Sequence, residues 1–223
     1  MGGAEILFQG ETISRLLSGL MVTIRISLVS VAISIPVGVV VGIAMSSRHL
    51  LVRAVLRAIL EFVRVMPQLV LLYVVFFGSA TAFGLDLSGE AASVIVFSLW
   101  GAAELGDLVR GALASIPPIQ YDSAYVLGLS RMQTFVHIIL PQALARLMPP
   151  TMNLVSRMVK TTSLCMLIGV VELIRVGQQI IDFNRFQYPT GALWVYLAIF
   201  VMYFLVCWPL SIASRRLERR WAA

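Results

Sequence analysis

A set of long apolar runs limits how this chain can fold. Ile26–Met45, Val65–Leu85 and Tyr188–Ser214 contain no charged residue. About 20 consecutive apolar residues suffice for a helix to cross the hydrocarbon core of a bilayer, where the backbone has no hydrogen-bond partner but itself. Two further runs, Ala91–Ile116 and Leu147–Val171, are as long but carry charges inside. Glu104, Asp107 and Arg110 lie in the first, Arg157 and Lys160 in the second. The pattern predicts an all-α membrane protein with five transmembrane helices, at about 20–46, 62–84, 91–116, 144–171 and 189–214, in a single domain over residues 1–223. Hydrophobic residues make up 59% of the chain, and the mean hydropathy is +0.92, more than a soluble core of this size needs. The first run is too long for a signal-peptide core and lacks a convincing cleavage site, so it is read as a span.

The net charge of +6 raises the question of nucleic acid, but the placement of the charges argues against it. Arg48, Arg53 and Arg57 follow the first span, Arg131 and Arg146 flank the connection between the third and fourth, and Arg215, Arg216, Arg219 and Arg220 follow the last. On the alternate side Arg15, Arg175 and Arg185 are offset by Glu5, Glu11, Asp86, Glu90, Glu172 and Asp182. Positive charge collects on the cytoplasmic side of membrane proteins. The expected topology is therefore N-terminus out and C-terminus in, with the arginine cluster anchored at lipid headgroups. Cys165 and Cys207 both fall in predicted spans, and His49 and His137 lie far apart. A metal centre needs clustered ligands, so no metal site is expected.

Between the spans, Pro36 and the Gly38/Gly42 pair suggest a kinked first helix that approaches a neighbour closely. Ser47–Leu60 reads as a short basic loop, Pro67-Gln68 as an interruption of the second span, Phe83–Gly89 as an acidic outer loop, and Glu172–Gln187 as a mixed-charge outer loop, partly helical. Tyr121–Pro141 differs from everything around it: a polar, helix-like stretch between apolar runs. Pro117-Pro118 stops the third span, and Pro118 suits a first helical turn, where its missing N–H costs nothing. Asp122 suits the positive end of that helix. Gly128 divides Tyr121–Leu127 from Ser130–Ile139, predicting two short helices with a bend between them and Pro141 as punctuation.

These residues carry a resemblance. Arg110-Gly111 with Ser115-Ile116-Pro117, then Leu127-Gly128-Leu129-Ser130, then Ile139-Leu140-Pro141-Gln142-Ala143-Leu144, is similar to the coupling region of polar amino-acid ABC-transporter permeases. Pro149-Pro150, Asn153, Lys160-Thr161-Thr162-Ser163-Leu164 and Val171-Glu172-Leu173 continue the same order. The chain departs from that pattern in places. The family's E-A-A is Asp122-Ser123-Ala124, its R-G-T-P is Arg64-Val65-Met66-Pro67, its K-D is Lys160-Thr161, and Arg157 occupies a usually uncharged position.

The resemblance implies the fold of a type I ABC importer permease, in a bacterial inner membrane, with a cytoplasmic coupling loop at about 118–141. It implies ABC ATPase subunits as partners, along with a second permease subunit, identical or related, and an extracytoplasmic amino-acid-binding protein. ATP and Mg would be bound by the ATPase partner; no catalytic residue and no cofactor is expected in this chain. Asp122, Ser123, Ala124, Gly128, Leu129, Arg131 and Pro141 would form the ATPase-coupling surface. The residues support the division of labour: Lys160 is the single lysine and lies within a span, whereas a phosphate-cradling loop needs a lysine after a glycine-rich turn.

Charges inside a membrane cost about 2.5–3.5 kcal/mol each on insertion scales and need partners or a cavity. Asn153, Arg157 and Lys160 are spaced to share one helical stripe, and Glu104, Asp107 and Gly111 share another. Two readings stand side by side: an inter-helix ion network between these stripes, or a substrate pathway formed by Glu61, Gln68, Glu104, Asn153, Arg157, Lys160 and Ser163. Glu61 and Arg64, three residues apart, read as a local pair or as a gate. The excess of cations leans toward acidic or neutral polar amino acids. No internal repeat appears, and five spans cannot form two inverted halves, so a pathway needs a second subunit. The alternatives are an ion-coupled secondary carrier with Glu104 and Asp107 as proton sites, a permease for another small polar solute, and a non-transporting assembly factor.

Overall fold

The structure, a computed structural model, describes residues 3–47 and 49–221. Arg48 and the side chain of Arg220 lie outside the described residues. The described chain is helical throughout: α1 (Thr12–Met45), α2 (Leu50–Val65), α3 (Gln68–Phe83), α4 (Gly89–Ala114), α5 (Pro118–Val126), α6 (Arg131–Thr134), α7 (Leu140–Thr161), α8 (Leu173–Asn184) and α9 (Gly191–Trp221). A 3-10 turn, Gly3–Phe8, precedes α1; a π turn, Phe135–Ile139, joins α6 to α7; a 3-10 segment, Thr162–Ile168, follows α7. Three helices, α1, α4 and α9, are each long and apolar enough to cross a membrane, and the count reaches five if α2 with α3, and α6–α7 with α8, each make one broken span.

The chain divides into two compact units. The first holds residues 1–31, 67–97 and 156–209. Its core is Ile6, Leu16, Leu173, Val176, Ile180, Val195 and Ile199, from the first 3-10 turn, α1, α8 and α9. Residues 173, 176 and 180 recur at the helical period, so most of the segment expected to be partly helical is an amphipathic helix with one buried face. Glycine brings it close to α1: a Cβ on Gly19 would lie 2.9 Å from Val176 Cγ2. Glu172 caps α8 and is fully buried. Its carboxylate accepts from the N–H groups of Ile174 at 3.0 Å and Arg175 at 2.9 Å. It also accepts from the hydroxyls of Thr23 on α1 at 3.5 Å and Tyr203 on α9 at 3.4 Å. One carboxylate thus satisfies two open helix donors and ties three helices. Charge pattern alone groups Glu172 with the outer acids and gives no sign of this burial.

The second unit holds residues 32–66, 98–155 and 210–223. Here α1 lies against α4. A Cβ on Gly42 would meet the Gly106 carbonyl at 2.6 Å, and one on Gly38 would meet Leu105 Cβ at 2.8 Å, so any larger residue would force these helices apart. Ser34 Oγ donates to the Ser98 carbonyl at 3.2 Å along the same contact. α1 itself runs unbroken through Pro36.

The basic loop expected over Ser47–Leu60 is mostly α2. Leu60 and Val63 are buried while Arg53 and Arg57 are exposed, an amphipathic pattern that charge counting hides. The second span is not one helix either. Met66 and Pro67 are extended, with ψ of 134° and 127°. The residue before a proline is pushed out of helical geometry, so α2 ends and α3 begins anew at Gln68.

Candidate functional site

The segment between α4 and α7 is built from local rules. Pro118 opens α5, whose end is closed by Gly128 with φ +74°. The Leu129 N–H bonds back to the Ala124 carbonyl at 3.1 Å, and the Gly128 N–H to the Tyr125 carbonyl at 3.0 Å. This pair of bonds requires a left-handed residue at its centre, which glycine supplies without strain. Ser130 then starts α6 through reciprocal bonds: Gln133 N–H to Ser130 Oγ at 3.3 Å, and Ser130 N–H to Gln133 Oε1 at 2.9 Å.

The expected bend at Gly128 is present, but the second short helix does not stop at Ile139. The π turn Phe135–Ile139 carries it directly into α7. Pro141 lacks an N–H and its ring would crowd the carbonyl four residues back. A π turn widens the helix just ahead of it, and the Gln142 side-chain amide donates to the Ile138 carbonyl at 3.0 Å. Pro141 is therefore within a helix, as are Pro149 and Pro150.

Two contacts close the base of this segment. Arg146 donates to the carbonyl of Ser115 and to its Oγ, the latter at 2.7 Å. Gln142 donates to Gln120 at 3.2 Å. Of the residues assigned to coupling, Ala124 is buried and Leu129 half-buried, while Asp122, Ser123, Gly128, Arg131 and Pro141 are exposed. Around them stand Tyr125 and Val126, each 83% exposed, with Leu127 and Met132. Such a cluster of apolar side chains on a polar helical elbow marks a contact surface.

The second constellation is ionic. Arg64, in the last turn of α2, donates through Nε to Glu104 and through Nη1 to Asp107, both at 3.1 Å. Asp107 also accepts from Arg110, one turn along α4, at 2.7 Å. The guanidinium fork suits two carboxylates presented three residues apart. Arg64 reaches α4, forty residues along the chain, while Glu61, exposed on α2, still acts on the same guanidinium through its charge. The sequence reading named Glu104 and Asp107 but not Arg64 and Arg110 as their partners. Charge alone does not reveal a contact at that separation.

The third constellation lies within the first unit. Lys160, Ser163 and Ile174 line a cavity of about 390 Å³ with Phe200, Tyr203, Phe204 and Cys207. The last four recur on one face of α9. Of the expected pathway residues, Lys160 and Ser163 thus come together. Asn153 and Arg157 occupy the exposed side of α7, and Gln68 is the first residue of α3. Among the described residues no three His, Cys, Asp or Glu side chains gather as a metal-binding group.

Residues 34–223 match the family described as binding-protein-dependent transport system inner membrane component. The chain belongs to that family. It is 31% identical over 212 residues to a probable amino-acid ABC transporter permease, YckA, of Bacillus subtilis (strain 168), covering 95% of this chain and 91% of the relative. It is 34% identical over 206 residues to the glutamine transport system permease GlnP of Escherichia coli (strain K12), covering 92% of each. Its fold matches that of a chain in a crystal structure of an amino acid ABC transporter with histidines, with a TM-score of 0.85 at 23% identity over 96% of this chain and 98% of the other. The family and the helices make this a membrane transport component.

Proposed function

We propose that this permease-family chain is the transmembrane subunit of an ATP-driven importer of amino acids in a bacterial inner membrane. It would pair with a second permease, identical or related, to enclose the pathway. It would take substrate from an extracytoplasmic binding protein and do no bond chemistry of its own. ATP and Mg belong to the ATPase partner. The observation that carries this reading is the α5–Gly128–α6 elbow, which exposes Tyr125, Val126, Leu127 and Met132 while its base is fixed by Arg146 and Gln142. A rigid base and an apolar tip are what a docking element needs if motion in a partner is to reach the helices. Relatives named as amino-acid and glutamine permeases support the substrate class. The orientation follows from the arginines: this elbow and the end of α9 on the cytoplasmic side, α8 and the start of α1 outside.

The carrier alternative used Glu104 and Asp107 as proton sites. Their engagement by Arg64 and Arg110 favours a structural role for both. The deciding experiment is uptake into proteoliposomes holding the permease with its ATPase and binding protein. Accumulation should require internal ATP and survive collapse of the ion gradients. Uptake that follows the gradients without ATP would overturn the importer reading.

A further inference from the structure

A groove of about 560 Å³ runs along the first unit, between the first half of α1 and the first half of α9. Ile13, Leu17 and Leu20, at helical spacing, form one wall, and Trp194, Val201 and Leu205 form the other. The floor is firm: Leu16 is fully buried in the core, and Ala198 and Met202 pack against that core. Leu7 and Phe8 of the 3-10 turn line the groove beside the start of α1. Among the described residues that line it none is charged, and only Trp194 carries a side-chain hydrogen-bond donor. A polar ligand would lose its hydration there and gain almost nothing in return. Trp194 and Leu205 lie about 16 Å apart along the helix axis, close to the depth of one leaflet in a hydrocarbon core of about 30 Å.

We propose that this groove binds a single lipid acyl chain, laid lengthwise in the leaflet nearest the starts of α1 and α9. The site concerns lipid and not the transported solute, so it stands apart from the importer reading. Two features argue against a helix as the occupant. A membrane helix spans both leaflets, about twice the length of the groove. Helices also pack in lipid through small residues that let backbones approach, and Ala198 is the only small side chain among the described residues of the lining. The hydrophobic effect does not drive the binding, because lipid tails are as apolar as the groove. The gain is dispersion: a poorly filled groove leaves Leu16, Ala198 and Met202 short of partner atoms, whereas a chain laid in it touches the floor and both walls. With no charge in the lining, the acyl chain governs selection and the headgroup does not.

The test titrates the full chain, stripped of lipid in detergent, with phosphatidylcholine brominated on its acyl chains, which quenches indole fluorescence on contact. Two single-tryptophan forms are compared. Trp100→Phe, Trp208→Phe and Trp221→Phe together leave Trp194 in the groove. Trp100→Phe, Trp194→Phe and Trp221→Phe leave Trp208, which is 48% exposed on the same helix and outside the groove. Quenching of Trp194 should saturate near a single lipid per chain, at a lipid ratio about tenfold lower than for Trp208, the scale of a dozen or so added dispersion contacts. Ala198→Phe fills the groove and should erase that difference; Val201→Phe, from an exposed wall position, should act alike. Exchanging the choline headgroup for glycerol should leave the difference in place. Native mass spectrometry, which needs no tryptophan replacement, should find that Ala198→Phe retains fewer lipids per chain than the unaltered protein. Parallel, unsaturated quenching of Trp194 and Trp208 would mean annular lipid only and would overturn the proposal. So would indifference to both filling variants or a requirement for an anionic headgroup. Ready disulfide formation between two copies through Trp194→Cys, in a chain cleared of Cys165 and Cys207, would give the groove to a second copy and sink the proposal as well.

Discussion

Gly128 offers the sharpest test of how the elbow works. Its φ of +74° is left-handed, and a Cβ built there meets nothing within 4 Å. A side chain would thus be harmful through backbone strain and not through a clash inside the chain. That strain is about 1–2 kcal/mol for an ordinary L-residue and less for asparagine, whose side chain tolerates this conformation. If the elbow must hold its bend to dock, 1–2 kcal/mol lowers the docked-competent population about 5- to 30-fold. ATP-driven uptake should therefore fall in the order Gly128, Gly128→Asn, Gly128→Ala, Gly128→Val, with the asparagine variant within a few-fold of the original. Insertion and detergent size-exclusion profiles should stay unchanged, because the position is on an exposed turn. The assay is initial uptake in proteoliposomes at matched protein content. Wild-type uptake by Gly128→Val, or equal loss in the asparagine and valine variants, would refute the reasoning.

Other expectations follow from the same structure. Arg64→Met leaves Glu104 and Asp107 facing each other without the fork and should destabilise the detergent-solubilised protein by about 1–3 kcal/mol; Glu104→Gln in that background should restore part of it, and simple additivity in the double-mutant cycle would contradict the pairing. Glu172→Ala removes the cap of α8 and should lower the melting temperature by the equivalent of about 1–2 kcal/mol, with Glu172→Gln milder because it keeps one acceptor; equal losses would count against the capping role. In a chain cleared of Cys165 and Cys207, a cysteine at Ser130 should resist an impermeant maleimide added to intact cells while one at Asn184 reacts. The opposite labelling would reverse the topology.

Much of the architecture was legible because lipid imposes a simple rule on long segments. Ile26–Met45 sits within α1, and all of Tyr188–Ser214 but its first three residues lies in α9. The elbow was legible because Pro118, Gly128 and Ser130 act through their nearest neighbours. Other features were hidden. α2 was read as a loop because its arginines drew the eye, although Leu56, Leu60 and Val63 already repeat at helical spacing. Pro141 looked like a stop because a π turn, the feature that lets the helix pass through it, has no simple sequence mark. Arg64 bound to Glu104 and Asp107, and Glu172 buried beneath Thr23 and Tyr203, depend on residues far apart in the chain. Each side chain was visible as a charge; its partner was not.

Arg146 and Ser115 meet although 31 residues separate them. The excursion between them therefore leaves the helices and returns at a single point, with Gln120 and Gln142 as a second rung just inside. A segment pinned this way carries its own shape. It is a cassette, and grafting residues 115–146 onto the ends of two antiparallel helices in a soluble scaffold should preserve the surface it displays. What a partner recognises is thereby separated from what the bilayer dictates, and the two can drift independently in sequence.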